Sequence, residues 1–331
     1  MPKKYLQLDD TRAYYDQKSG SVRLISKDKR LRGEPFQINL VRDAPTTESL
    51  VKLLAAEGII DPREHELPTR VALPRKLPPE DSTVLEGERA QRRTDPRLNF
   101  LLGSTFGDRK LEIDLGIAPN TLIAGRPGSG KTVLLNSLRE QALDRPHSAI
   151  HWVAVDSDAQ LADATTRRHQ DRFASNLDET AKLVEDLRRL MVERFKLMDE
   201  QDANSWDQVE GVDPQYLFLD GLWSALPDAE NYLVPKEIWD IRNSLGSILR
   251  IGRAAGVYIF TVEQTPSSDI IPGEFKANMG RRILMGENDS ATETLTLGIS
   301  SSYRGDILNS PGRGVIRTYA SKIRAFQAFT E

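Results

Sequence analysis

Short apolar runs recur along the second two-thirds of the chain, at residues 121–124, 150–155, 216–219, 257–262 and 282–285. Each is strand-length and reads as a buried strand. Helical periodicity fills the gaps between them. Over residues 178–201, Val184, Leu187, Leu190, Met191, Phe195 and Met198 repeat at helical spacing, a stripe that reads as core packing. Over residues 236–255, Ile238, Ile241, Leu245, Ile248 and Leu249 do the same, and Gly256 supplies a stop. Strands alternating with helices predict an α/β fold whose mostly parallel sheet carries helices on both faces. Residues 314–319 and 323–329 alternate instead with period two and predict an antiparallel hairpin.

The first third has a different texture. Residues 13–15 and 21–25 flank a Lys18-Ser19-Gly20 turn, which predicts a hairpin, and residues 36–40 alternate like a half-buried strand. A short helix is expected over residues 47–57, ending before Gly58. Residues 1–60 thus read as a small N-terminal α+β module. Its basic stretch, residues 27–32, reads either as a face for DNA or as a solvated turn. Residues 61–98, with Pro62, Pro68, Pro74, Pro78, Pro79 and Pro96 in a charged context, read as an extended linker. Residues 99–331 form the third unit. No internal repeat is visible.

Composition narrows the chemistry. The 331 residues carry a formal net charge of −4, so any nucleic-acid surface is local rather than global. The absence of cysteine excludes disulfides and thiolate metal sites, and four scattered histidines do not suggest a metal centre. No signal peptide and no membrane-length apolar run is evident, so a cytoplasmic protein is expected, recruited to a membrane only through a partner.

The chemical signal is Gly125-Arg126-Pro127-Gly128-Ser129-Gly130-Lys131-Thr132, which fits G-x-x-x-x-G-K-[ST] between a strand and a helix opening at Val133. Glycines let backbone amides turn onto phosphate oxygens, and the helix presents its positive end to the anion. The expected ligands are ATP and Mg²⁺. Residues Gly125 to Val133 hold the nucleotide, Lys131 reaches the β/γ-phosphates and the Thr132 hydroxyl ligates the metal. The second metal-side carboxylate is Asp220, after the apolar run 216–219. The position after it, where many such enzymes place a glutamate, is Gly221. A water-activating acid must therefore come from elsewhere. Asp156, after the strand at 150–155, and Glu263, after the strand at 257–262, are equal candidates. Gln264 is a candidate sensor of the terminal phosphate.

These blocks together resemble the motor domain of the FtsK/SpoIIIE DNA translocases, within the wider FtsK/HerA group. The resemblance runs from about residue 99 to 330. It rests on Leu122-Ile123-Ala124-Gly125 before the loop and Leu134-Leu135-Asn136 after it, and on Glu193-Arg194-Phe195-Lys196-Leu197-Met198. It continues with Arg253-Ala254-Ala255-Gly256-Val257, Gln264-Thr265-Pro266-Ser267, Lys276-Ala277-Asn278 and Arg304-Gly305-Asp306-Ile307-Leu308. Asp156 falls where the family carries an Asp-Pro-Lys turn, with Ser157-Asp158 in place of Pro-Lys. Other departures are Gly221, and Thr265 in place of the family's arginine.

The resemblance implies a RecA-like P-loop ATPase core. It also implies a homo-oligomer, a hexameric ring around double-stranded DNA with ATP between subunits. An arginine from the neighbour would complete each site. Arg282 is the position carried over for it, with Arg281 and Arg253 behind. No membrane domain and no winged-helix module follows, so the motor of a plasmid, conjugative element or phage is expected, with a membrane, relaxase or packaging partner left unidentified. A coupling or secretion ATPase acting on protein, and a hydrolysis-deficient assembly factor, are the competing readings. For DNA contact, the basic stretch 165–172 offers Arg167, Arg168 and Arg172, suited to phosphates rather than base edges. A solvated loop is its other reading.

Overall fold

The computed structural model describes residues 95–105, 110–155, 172–226, 235–298, 310–317 and 323–330, and six short strands before residue 95 as backbone. Four of those strands, β1 (Lys4–Leu8), β2 (Thr11–Asp16), β3 (Ser21–Ser26) and β4 (Phe36–Gln37), form an antiparallel sheet of their own. The expected hairpin is β2–β3, closed by the pair Asp16↔Ser21. The helix expected at 47–57 and the basic stretch 27–32 lie outside the described residues. Within the stretch read as linker, β5 (Val71–Ala72) and β6 (Ser82–Val84) pair into the main sheet.

The main sheet has twelve strands. Its chain order continues with β7 (Asn99–Ser104), β8 (Lys110–Asp114), β9 (Asn120–Gly125), β10 (Ala149–Ala154), β11 (Arg172–Ala174), β12 (Gln215–Asp220), β13 (Val257–Glu263), β14 (Arg281–Met285), β15 (Arg313–Arg317) and β16 (Ile323–Thr330). In space the order is β11-β10-β12-β13-β9-β14-β15-β16-β7-β8-β6. From β11 to β14 every neighbouring pair is parallel. From β14 to β8 every pair is antiparallel. All five expected core strands and the C-terminal hairpin are present. The strands β7, β8 and β11 were not foreseen.

Among the described residues the helices are α1 (Lys131–Leu143), α2 (Leu177–Glu200), α3 (Leu222–Ala225), α4 (Lys236–Ile251), α5 (Gly273–Ala277) and α6 (Ser290–Leu297). Asn176 caps α2 by accepting from the Glu179 amide. The stripe read on it is core: Val184, Leu187, Met191 and Met198 are buried, with Leu190 and Phe195 packed beside them. The helix expected to 255 is α4 to Ile251 and then a 3-10 turn, Gly252–Ala255. Gly256 ends it at φ 74°, where a Cβ would lie 2.8 Å from the Trp206 ring.

Apolar residues fill both faces. On one, Leu134, Leu135 and Leu138 of α1 cover Ile123 and an aromatic row. In that row Phe218 stacks on Phe260 at 5.0 Å and on Trp152 at 5.9 Å, and Phe100 meets Phe260 edge-on at 5.1 Å. On the other, α2 and α4 cover Leu122, Val153, Leu217 and Ile259. With both faces covered, the parallel strands carry continuous apolar runs instead of alternation, which is why they were visible in the sequence.

Candidate nucleotide site

The parallel register brings three strand ends to one edge. Asp220 of β12 lies opposite Val262, and Glu263 of β13 lies opposite Ala124, one residue before the phosphate loop begins at Gly125. Clefts at the carboxyl ends of parallel strands are the usual ligand position in such sheets. The loop between β9 and α1 needs glycine where it has it: Gly125, Gly128 and Gly130 stand at φ 145°, 75° and 97°. A Cβ at Gly125 would collide with the Met285 carbonyl, whereas above Gly128 there is open space. Arg126, Pro127, Gly128, Thr132 and Val133 are exposed, and Ser129 and Lys131 are buried.

Lys131 Nζ donates to the Arg126 carbonyl at 2.9 Å. Burial draws its pKa down, and the carboxylates of Asp220 and Glu263 oppose that shift. Ser129 Oγ is buried and makes no hydrogen bond. An open turn, an orphaned hydroxyl, a lysine and an aspartate fit a phosphate with its divalent cation, which Thr132 and Asp220 would hold.

Glu263 is only 3% exposed. Its Oε1 accepts from the amides of Trp223 at 2.8 Å and Ser224 at 3.3 Å. Burial pushes its carboxyl up to about 7; the two amides pull against that, and the charge of Asp220 adds to it. Gly221 sits between Asp220 and α3 at φ 65°. Gln264 is exposed beside the loop, and its carbonyl accepts from the Gly125 amide at 3.3 Å.

Arg282 lies towards the other edge, since it pairs with Leu122 while Met285 pairs with Gly125. Its half-buried guanidinium donates to the carbonyls of Lys276 at 2.9 Å, Met279 at 3.3 Å and Thr296 at 3.5 Å. Arg281 is fully buried and donates to the carbonyls of Ala118 and Asp114. Arg253 is exposed. Arg172 opens the edge strand β11 and pairs with Asp186 at 2.6 Å, both partly exposed. Asp156, Arg167, Arg168 and the block 304–308 lie outside the described residues.

Two residues escaped the sequence reading. Trp223 is fully buried behind Glu263, its Nε1 donating to Thr261 Oγ1 at 3.0 Å and its ring 5.0 Å from that of Phe275. Asn288 accepts from the Arg126 amide at 3.1 Å. Leu222-Trp223 directly after the strand end was the available signal for the first. An asparagine in a loop gives none.

A doubly covered parallel sheet with this loop and this strand-end aspartate is a RecA-like P-loop ATPase fold. Residues 83–220 match the FtsK/SpoIIIE family, so the resemblance read from the motifs holds and this segment is of the FtsK/SpoIIIE type. A DNA translocase FtsK of Clostridium acetobutylicum is 27% identical over 283 residues, covering 78% of this chain and 35% of that protein. One from Helicobacter pylori strain J99 is 26% identical over 253 residues, covering 72% and 29%. The chain thus spans about a third of the length of these relatives. Among solved structures, the pCW3 conjugation coupling protein TcpA, in its monomer form with ATPγS, superposes with a TM-score of 0.68 at 16% identity, over 99% of this chain and 88% of that one. The cytoplasmic domain of the Thermomonospora curvata type VII secretion ATPase EccC gives a TM-score of 0.57 at 21% identity, over 73% and 29%. These likenesses establish the fold. No helix among the described residues is long and apolar enough to cross a membrane.

Proposed function

We propose that this chain hydrolyses ATP to move double-stranded DNA, working as a hexameric ring in the cytoplasm for a plasmid, conjugative element or phage. The observation that carries the reading is the convergence of Lys131, Asp220 and Glu263 beneath an open phosphate loop. The curated relatives, each named a DNA translocase, supply the substrate class. The loop amides and Lys131 hold the phosphates, and Thr132 with Asp220 hold Mg²⁺. When bound, the cation neutralises charge on the β- and γ-phosphates.

Glu263 takes the role that Gly221 leaves open. A carboxyl pushed up to about 7 accepts a proton from water more readily than an ordinary one, while remaining ionised enough near neutral pH to act. One of its oxygens is engaged by the Trp223 and Ser224 amides, which fixes its orientation. Gln264, at the same edge, registers loss of the terminal phosphate. Arg282 serves the neighbouring subunit's nucleotide, exchanging carbonyl partners for phosphate oxygens. Arg172 joins Arg167 and Arg168 on the DNA phosphates. Releasing Asp186 costs little, because an exposed pair is worth less than about 1 kcal/mol.

The test is ATP turnover with and without linear duplex DNA, for the wild type, Lys131→Ala and Glu263→Gln. DNA-stimulated turnover lost in both variants supports the motor. Turnover indifferent to DNA favours a coupling or secretion ATPase acting on protein. Gly221 favours a second reading, a nucleotide-locked assembly factor, for which tight ATP binding without turnover is the expected result.

A further inference from the structure

We infer that Asn288 is a positioning residue that keeps the phosphate loop in its binding shape when Lys131 turns to the nucleotide. The inference rests on the nucleotide-binding reading above and not on hydrolysis. Arg126 is held at both of its backbone polar groups. Its carbonyl accepts from Lys131 Nζ at 2.9 Å, and its N–H donates to Asn288 Oδ1 at 3.1 Å. Asn288 Nδ2 in turn donates to the carbonyls of Met285 and Gly286, both at 2.9 Å. One amide orientation satisfies all three partners, because the oxygen meets an N–H and the nitrogen meets two carbonyls.

Lys131 cannot serve the Arg126 carbonyl and a phosphate at full strength together. Once it moves, Asn288 is the side chain that still ties the backbone of Arg126 to the end of β14. The same side of the loop is buttressed further along. The Gly312 amide donates to the Ser129 carbonyl at 3.2 Å, and the Gly286 amide to the Arg313 carbonyl at 2.7 Å. A Cβ on Gly286 would lie 2.9 Å from that of Ser129. The loop is therefore backed at Arg126 and Ser129 while Gly128 faces open space. Such a backing leaves less conformational freedom to lose on binding, which raises affinity without a direct contact.

Calorimetric titration with MgADP tests this on the full chain, for the wild type, Asn288→Ala, Asn288→Asp and Lys131→Ala, with thermal melts alongside. The expected result is a Kd weakened about tenfold in Asn288→Ala, the order of one net hydrogen bond, with the melting temperature unchanged. In turnover the same variant raises KM and leaves kcat intact. Asn288→Asp retains an acceptor for the Arg126 amide and holds more affinity than Asn288→Ala in high salt, where its charge is screened. A wild-type Kd reproduced within twofold by Asn288→Ala overturns the inference, as does Asn288→Asp binding no better than Asn288→Ala. A wild type that binds no MgADP sinks the nucleotide reading itself.

Discussion

Glu263 holds the backbone of Trp223. Its Oε1 accepts the Trp223 amide at 2.8 Å, so the tip of β13 is fastened to the first turn of α3 immediately after Asp220 and Gly221. The bond places a carboxylate from the next strand beside the metal-side aspartate, where a residue-221 side chain is missing. It also ties that carboxylate to a fully buried indole, whose own N–H is bound to Thr261 on the strand that ends in Glu263.

The first prediction concerns pH. Glu263 sits at about 7 in the folded protein, above the ordinary carboxyl value of 4.5. A raised carboxyl contributes stability that is fully present below its unfolded pKa and lost as pH rises through the folded one. Thermal stability should therefore fall between about pH 4.5 and 7 by an amount that Glu263→Gln abolishes, on the order of 3 kcal/mol at most. Turnover should move the other way, rising through about pH 7 as the base deprotonates. Glu263→Gln should lower kcat by about 10²-fold or more while MgATP binding persists. A pH profile unchanged in Glu263→Gln would assign the water-activating role to another acid.

Restoring the family acid at position 221 should not help. Gly221 stands at φ 65°, a left-handed conformation that costs other L-residues about 1–2 kcal/mol. Gly221→Glu is expected to lower stability by that order in urea unfolding and to leave kcat no higher than wild type. A gain in kcat would mean that the backbone here adapts and that Glu263 is not the sole acid required.

Trp223→Phe separates the indole hydrogen bond from ring packing. The substitution retains an aromatic ring against Phe275 and leaves Thr261 Oγ1 without its donor. A buried hydroxyl deprived of its partner costs about 1–3 kcal/mol, so the urea midpoint should fall correspondingly. Because Trp223 also carries the amide bound by Glu263, kcat should fall more than the affinity for MgADP. Equal loss in both would point to general loosening.

The legible parts of this protein were those that local sequence determines. Apolar runs such as 216–219 and 257–262 are continuous because both faces of those strands are covered, and the phosphate loop is contiguous. The strand β8 escaped because Glu112 and Asp114 are buried polar residues that break its apolar signature, and β7 because its apolar run is only Phe100, Leu101 and Leu102. With three residues, β11 is shorter than any pattern can register. Asp220 was legible as a strand end. The bond from Glu263 to Trp223 and that from Asn288 to Arg126 were not, because each joins segments about 40 and 162 residues apart that only the sheet order brings together.

Adjacent arginines Arg281 and Arg282 offer the sharpest contrast for a last prediction. Arg281 is fully buried and binds the carbonyls that end β8 and precede β9, so it acts as internal mortar. Arg281→Met takes this donor from the Ala118 carbonyl, while the Asp114 carbonyl keeps the Ile117 and Ala118 amides, and it should destabilise the fold by about 1–3 kcal/mol, the cost of one buried orphan. Arg282 is half-buried, and burial with the nearby Arg317 draws its pKa down, so its charge is not well compensated where it sits. That is the condition under which an arginine gains from meeting a neighbour's phosphates. Arg282→Ala should lower the melting temperature less than Arg281→Met, because its carbonyl partners are only part-buried, but lower DNA-stimulated turnover by about 10³-fold, the scale of a transition-state arginine. Mixing Arg282→Ala with Lys131→Ala subunits decides whether the residue acts across an interface. If it does, sites pairing a wild-type Arg282 with a neighbour's intact Lys131 recover turnover that neither variant shows alone. If mixtures stay inactive, Arg282 serves its own chain through the carbonyls of Lys276 and Met279, and the trans assignment fails.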